Sequence, residues 1–213
     1  MVPKVLACLS LAMLAACTSS NGAEPNRTPP TTVTSTTPTS TSPTPTTSAP
    51  TTSSSPTPTG PKTTGPGVSP GEKPPVMSKL AKDHTRGGAV LFASYYFNAL
   101  DWSIATNDPT LLRPLAQASC KTCAGFVKSL EDLAANGNHT EGGRIQVGMV
   151  GPVDPRADFA RDGYVEIHLD QAPGRIVSEG GQPVSILHAG KSSAIVALTW
   201  YGRGWSVTGI SKS

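Results

Sequence analysis

Two thiols three positions apart, in the run Cys120-Lys-Thr-Cys123, are the residues whose type and spacing most directly invite chemistry. They open a stretch of helical periodicity, and the positive end of a helix dipole stabilises a thiolate. Three chemistries suit such a pair. A disulfide between Cys120 and Cys123 would staple the start of the helix in an oxidising compartment. A thiol–disulfide exchange centre shares the spacing but ordinarily follows a βαβ pattern, and none precedes Cys120. A zinc site wants four ligands, and no second Cys or His pair stands at metal spacing, so neither a metal nor another cofactor is expected. The structural disulfide is the leading reading.

Acid–base chemistry has one candidate constellation. Of His84, His139, His168 and His188, it is His168 that has carboxylates at strand spacing on its own face, Glu166 and Asp170. A carboxylate beside an imidazole can orient a general base. Against this, Val165, Ile167 and Leu169 alternate with those three and form the apolar face, which places Glu166, His168 and Asp170 in water. No Gly-x-Ser-x-Gly elbow and no glycine-rich phosphate loop occurs; Gly142-Gly143 and Gly180-Gly181 read as turn glycines. No catalytic residue is therefore assigned. Tyr95, Tyr96, Trp102, Trp200 and Trp205 are candidates to line a pocket for an apolar or ring-shaped ligand, or to form a protein contact, where they do not simply fill a core.

Two periodicities position these groups. Thr85 caps a helix running to about Asn107, with Phe92, Tyr96, Ala99 and Ser103 on one face and Leu91, Tyr95 and Trp102 on the next. Asp108-Pro109 restarts the chain and predicts a short helix carrying Leu111, Leu112 and Leu115. A third helix, from about Cys120 to Ala135, carries Phe126, Leu130 and Leu133 and ends at Asn136-Gly137. After Gly143 the period falls to two. Ile145, Val147 and Met149 alternate with polar or small residues, as do Val165, Ile167 and Leu169. Ala194–Tyr201 and Trp205–Ile210 flank Gly202-Arg203-Gly204 as a hairpin, and a second hairpin is placed around Gly180-Gly181. Three helices followed by four to six antiparallel strands make an α+β domain, its helices on one face of a sheet.

That domain is assigned to residues 76–213. The chain carries +3 over 213 residues, and residues 76–213 hold 13 Lys/Arg against 12 Asp/Glu, interspersed, which argues against nucleic acid as a partner. Before it, residues 17–75 are mostly Thr, Ser, Pro and Gly, and no aromatic residue precedes Phe92. Such a segment buries too little apolar surface to offset its ordering entropy and is predicted to be a disordered tether. At about 3.1 Å per residue it reaches on the order of 100–180 Å, and its composition also suits an O-glycosylated stalk.

The first residues have the layout of a secretory signal: Lys4, an apolar core from Val5 to Met13, then small residues. The core has about half the roughly 20 residues a spanning helix needs. Its end, Leu14-Ala-Ala-Cys17, resembles the lipobox of bacterial lipoproteins. The resemblance implies that residues 1–16 are removed and that Cys17 carries a diacylglycerol. The membrane would then be a partner through that anchor, at the extracytoplasmic face of the cell membrane. Further on, Phe92-Ala-Ser-Tyr-Tyr-Phe-Asn-Ala-Leu-Asp-Trp-Ser-Ile-Ala-Thr-Asn-Asp-Pro109 and Leu111-Leu-Arg-Pro-Leu-Ala-Gln-Ala-Ser-Cys-Lys-Thr-Cys123 resemble an uncharacterised family of actinobacterial lipoproteins. Their folded part is similar to the nuclear-transport-factor-2-like (NTF2-like, or SnoaL-like) cone, in which helices lie in the curl of a bent antiparallel sheet. That fold hosts isomerases, dehydratases and binding modules, so it does not fix an activity. The leading expectation is a non-catalytic binding module for a protein partner or a small apolar ligand. The alternatives are an isomerase or hydratase and a structural or assembly subunit of an envelope complex.

Overall fold

The first long helix, α1 (Arg86–Thr106), starts where Thr85 lies extended and its hydroxyl accepts from the Gly88 amide at 3.0 Å. It stops at Asn107, the described non-glycine residue with left-handed backbone, φ 52°. Both ends match the reading from sequence. The computed structural model describes residues 60–154 and 162–213. The signal segment, Cys17 and the tether as far as residue 59 lie outside the described residues.

Helix α1 is apolar around much of its circumference because it is covered on several sides. Phe92, Phe97 and Leu100 share one buried cluster with Val165, Ile167, Val196, Leu198 and Val207 of the sheet. Helix α2 (Lys121–Ala135) is amphipathic and buries Cys123, Phe126, Leu130 and Leu133. It ends as expected at Asn136-Gly137, where Gly137 takes φ 66°. The short helix expected between them is instead a series of turns closing in a single 3-10 turn, Arg113–Leu115. Pro114 explains the difference: it lacks an amide proton and clashes with the preceding turn, so an α-helix cannot grow through it. Among the described residues two α-helices, not three, precede the sheets.

Seven strands follow among the described residues: β1 (His139–Gly142), β2 (Ile145–Pro152), β3 (Asp162–Gln171), β4 (Gly174–Val177), β5 (Pro183–Leu187), β6 (Gly190–Trp200) and β7 (Trp205–Lys212). The pairings between these strands are antiparallel, in two open sheets ordered β1-β4-β5 and β2-β3-β6-β7. The division falls at sharp bends. Gly142 and Gly143 both adopt positive φ, and a Cβ on Gly174 would meet the Gly143 nitrogen at 2.2 Å. Across the bend, Gly143 N–H donates to Pro173 O at 3.0 Å and Ala172 N–H to Arg144 O at 2.9 Å. Backbone hydrogen bonds therefore bridge the break between the β1/β4 and β2/β3 ladders. Both expected hairpins are present, β4–β5 around Gly180-Gly181 and β6–β7 around Gly202.

Strand β2 corrects one expected alternation. A bulge between Val147 and Val150 inserts an extra residue, so Met149 is 75 % exposed and Val150 packs against the core in its place. A larger correction concerns residues 60–75, assigned above to the tether. This strap lies along α1. Trp102 Nε1 donates to Lys62 O at 3.0 Å, Lys62 N–H to Asp108 Oδ2 at 2.8 Å, and Gly67 N–H to Ala105 O at 2.9 Å. Gly65 approaches so closely that a Cβ would stand 2.4 Å from the Thr106 Cα. The sequence hid this because the contacts are made by backbone atoms and glycines, which composition scores as linker.

Candidate functional site

Arg144 follows the Gly142-Gly143 bend and locks strap, helix and sheet together. Its guanidinium donates to Asp101 through Nε at 3.0 Å and Nη2 at 2.6 Å, to Glu72 through Nη2 at 2.6 Å, and to Gly67 O at 3.2 Å. Asp101 also accepts from the Ile145 amide at 2.7 Å. The paired guanidinium holds the Glu72 carboxyl below its ordinary range, and the two carboxylates push Arg144 upward. Sequence reasoning passed over this cluster, although a carboxylate at 101 between Leu100 and Trp102 was a signal that an apolar helix face had to find a cation. Its polar groups serve one another, so it is a structural clamp.

The expected acid–base group sits elsewhere. His168 lies on the outer face of β3 with its side chain 50 % exposed, and Nε2 is 4.0 Å from Glu166 Oε1. The same Glu166 oxygen accepts from the Ser213 hydroxyl at 2.7 Å, and Asp170 pairs with Lys191 at 2.8 Å. A groove of about 320 Å³ runs past His168, Met149 and Lys191 at the β2 bulge. Glu166, His168 and Asp170 are brought onto one face, as their spacing implied, but that face is open to water.

The five aromatic candidates do not line one pocket. Trp102 is buried beneath the strap. Trp200 stacks on His84, ring centroids 4.4 Å apart, and meets Trp205 edge-on at 5.3 Å. Trp205 Nε1 donates to Asp83 O, which fastens the last hairpin to the segment before α1. Tyr95 packs, half-buried, against the core, and burial raises its hydroxyl above the usual phenol range.

Tyr96 is different. It is fully buried, meets Phe97 edge-on, and borders a cleft of about 290 Å³ between the 112–118 segment and α2. The sequence builds this cleft from two fixed walls. In the first, Gln117 N–H donates to Val207 O at 2.8 Å and Gln117 Nε2 to Ser206 Oγ at 3.0 Å, so the segment is tied to β7. In the second, Cys120 caps α2, its Sγ accepting from the Cys123 amide at 3.2 Å, and Thr122 Oγ1 donates to Ile210 O at 3.2 Å. Cys120 and Cys123 form a disulfide, and Cys123 borders the cleft. Leu112, Ala116, Val127 and, at the open side, Ala124 line it with apolar side chains. At the rim, Arg113 pairs with Glu131, and Lys128 with Asp132 at 2.8 Å.

Four buried side-chain polar atoms have no hydrogen-bond partner among the described residues: Tyr96 Oη, Ser103 Oγ, Asn107 Oδ1 and Thr140 Oγ1. Of these four residues, Tyr96 alone borders the cleft. Burial drives its hydroxyl far above the usual phenol range, so it stays a neutral donor. No helix among the described residues is long and apolar enough to cross a membrane, and no group of three or more His, Cys, Asp or Glu among them could hold a metal ion.

The sequence profile of DUF6318, described as a family of unknown function, matches residues 72–211. The chain belongs to that family. The DUF6318 match begins at Glu72, so it takes in the carboxylate through which the strap reaches Arg144. No curated protein matches the chain in a sequence comparison. Among solved structures, the DUF6318 domain is similar to the intermembrane-space region of the chloroplast protein ARC6. The TM-score is 0.45 at 10 % identity, over 60 % of this chain and 97 % of that one.

Proposed function

We propose that this chain is a lipid-anchored protein of the cell envelope whose DUF6318 domain binds a ligand and does no chemistry on it. Tyr96 carries the reading: it borders an apolar cleft with hydrogen-bonded walls, and its fully buried hydroxyl has no partner among the described residues. Burying an unpaired hydroxyl costs about 1–3 kcal/mol, a cost a ligand acceptor would offset. The cleft offers no nucleophile–base pair, and its one cysteine is held in the disulfide. Anchoring rests on Leu14-Ala-Ala-Cys17 and the signal-like run before it. The finer fold reading, an NTF2-like cone, is supported by the bend at Gly142-Gly143 and the backbone hydrogen bonds across it, which curl strands around α1.

Two experiments test this. Cys17→Ala should move the protein out of the membrane fraction or block its processing; unchanged fractionation with acyl label retained would refute the anchor. For binding, a small-molecule thermal-shift screen should give hits on the wild type that are lost in Ala124→Trp. Ala124 is exposed and borders the cleft, so the indole fills the space without entering the core. Hits that persist in Ala124→Trp would place binding elsewhere.

A further inference from the structure

From the cleft's charge balance and its single buried hydroxyl, we infer that the DUF6318 domain takes an uncharged, mostly apolar small molecule carrying one acceptor oxygen at its inner end. This rests on the binding reading of the cleft and adds the class of ligand.

The rim argues for neutrality. Arg113 and Lys128 are the cations bordering the cleft, and each already holds a carboxylate, Glu131 and Asp132. The rim thus holds its charges in matched, exposed pairs and leaves neither sign in excess to select an anion or a cation. The interior argues for apolar bulk. Leu112, Ala116, Ala124 and Val127 offer area and no hydrogen bonds from their side chains, so each methylene seated there contributes through burial. The floor argues for one oxygen. Tyr96 Oη, neutral, sealed in the packing beside the cleft and without a partner among the described residues, would donate to a ketone, ester, ether or amide oxygen that pressed in against it. Size argues for a small molecule: about 290 Å³ sits at the lower edge of the range for small-ligand pockets.

The test uses the full-length protein in detergent, with Ala, Leu and Val methyl groups labelled for NMR, titrated with three ring probes of similar size: cyclohexanone, methylcyclohexane and cyclohexanecarboxylate. Cyclohexanone should shift the methyl signals of Leu112, Ala116, Ala124 and Val127 and bind roughly three- to tenfold tighter than methylcyclohexane, the worth of one neutral hydrogen bond. The carboxylate should bind weakest. In Tyr96→Phe the advantage of the ketone should vanish while the hydrocarbon binds at least as well. Tightest binding by the carboxylate, or equal binding of ketone and hydrocarbon to the wild type, overturns the ligand class and leaves the cleft standing as a site. If no probe shifts those methyl signals at millimolar concentration, the binding reading itself fails. The wild-type ranking is decisive even if Tyr96→Phe does not fold.

Discussion

Five residues apart on α1, Asp101 and Tyr96 carry two polar groups into the same apolar helix, and the fold treats them in opposite ways. Around Asp101, a guanidinium, a second carboxylate and two backbone groups meet one another, and the result ties three pieces of chain together. Around Tyr96, nothing among the described residues reaches the hydroxyl. A saturated buried cluster rigidifies a fold, whereas an unsatisfied buried group calls for a specific explanation. On the binding reading proposed above, the contrast separates scaffold from site, and it can be broken by experiment.

The largest effect is expected at the clamp. Asp101→Ala leaves Arg144 and the Ile145 amide short of their acceptor, and it should destabilise the domain by about 3 kcal/mol. That is the low end for a broken buried pair, because Glu72 still holds the guanidinium. Urea denaturation checks it. A loss below about 1 kcal/mol would show that the cluster is a solvated surface network.

Deleting the strap is the next step down. A chain starting at Val76 lacks Glu72 and the contacts of Lys62, Gly65 and Gly67 with α1. It should lose about 2 kcal/mol, or roughly 4–8 °C in Tm, relative to a chain starting at Gly60. Composition alone predicts no difference between the two. The strap should also respond to pH. The folded Glu72 carboxyl is held below its unfolded value by Arg144. Its contribution is therefore complete above the ordinary carboxylate pKa of about 4.3 and is lost as pH falls through the lower folded value. Glu72→Gln should flatten the acid limb of the stability profile; an unchanged limb would show that other carboxylates dominate it.

What the sequence disclosed follows the same division. Both long helices, their caps, the two glycine hairpins and the water-facing side of His168 were legible because each is written in local residue types. Arg144 was not, since its partners lie 43 and 72 residues away. Nor was the β2 bulge, which depends on two-dimensional pairing. Tyr96 was singled out, but as one of five aromatics imagined around a single pocket. What distinguishes it is a missing partner, which no local pattern encodes.

The disulfide should contribute modestly. It closes a loop of only four residues, so Cys120→Ser with Cys123→Ser should cost about 1–2 kcal/mol. Because Cys123 borders the cleft and Cys120 caps α2, the same change should loosen that wall and shift the Ala124 and Val127 methyl signals. Intact-mass analysis with and without reductant checks the bond itself. Two free thiols in protein isolated without reductant would remove the second wall from the argument.

The smallest effect is the most discriminating. Tyr96→Phe deletes the unpartnered oxygen and leaves the ring, including its edge-on contact with Phe97. At a scaffold position such as Asp101, removing a polar group destabilises. Here the oxygen is desolvated in the folded protein and hydrated in the unfolded chain, so its removal relieves a cost. Stability should stay level or rise by up to about 1 kcal/mol, while ligand affinity falls. Few substitutions of a fully buried residue behave this way, and the opposite signs of the two effects mark a site held ready at the expense of stability. A loss of more than about 1 kcal/mol in Tyr96→Phe would mean that the hydroxyl is satisfied in solution, by a trapped water for example. Tyr96 would then belong with Asp101, as part of the scaffold.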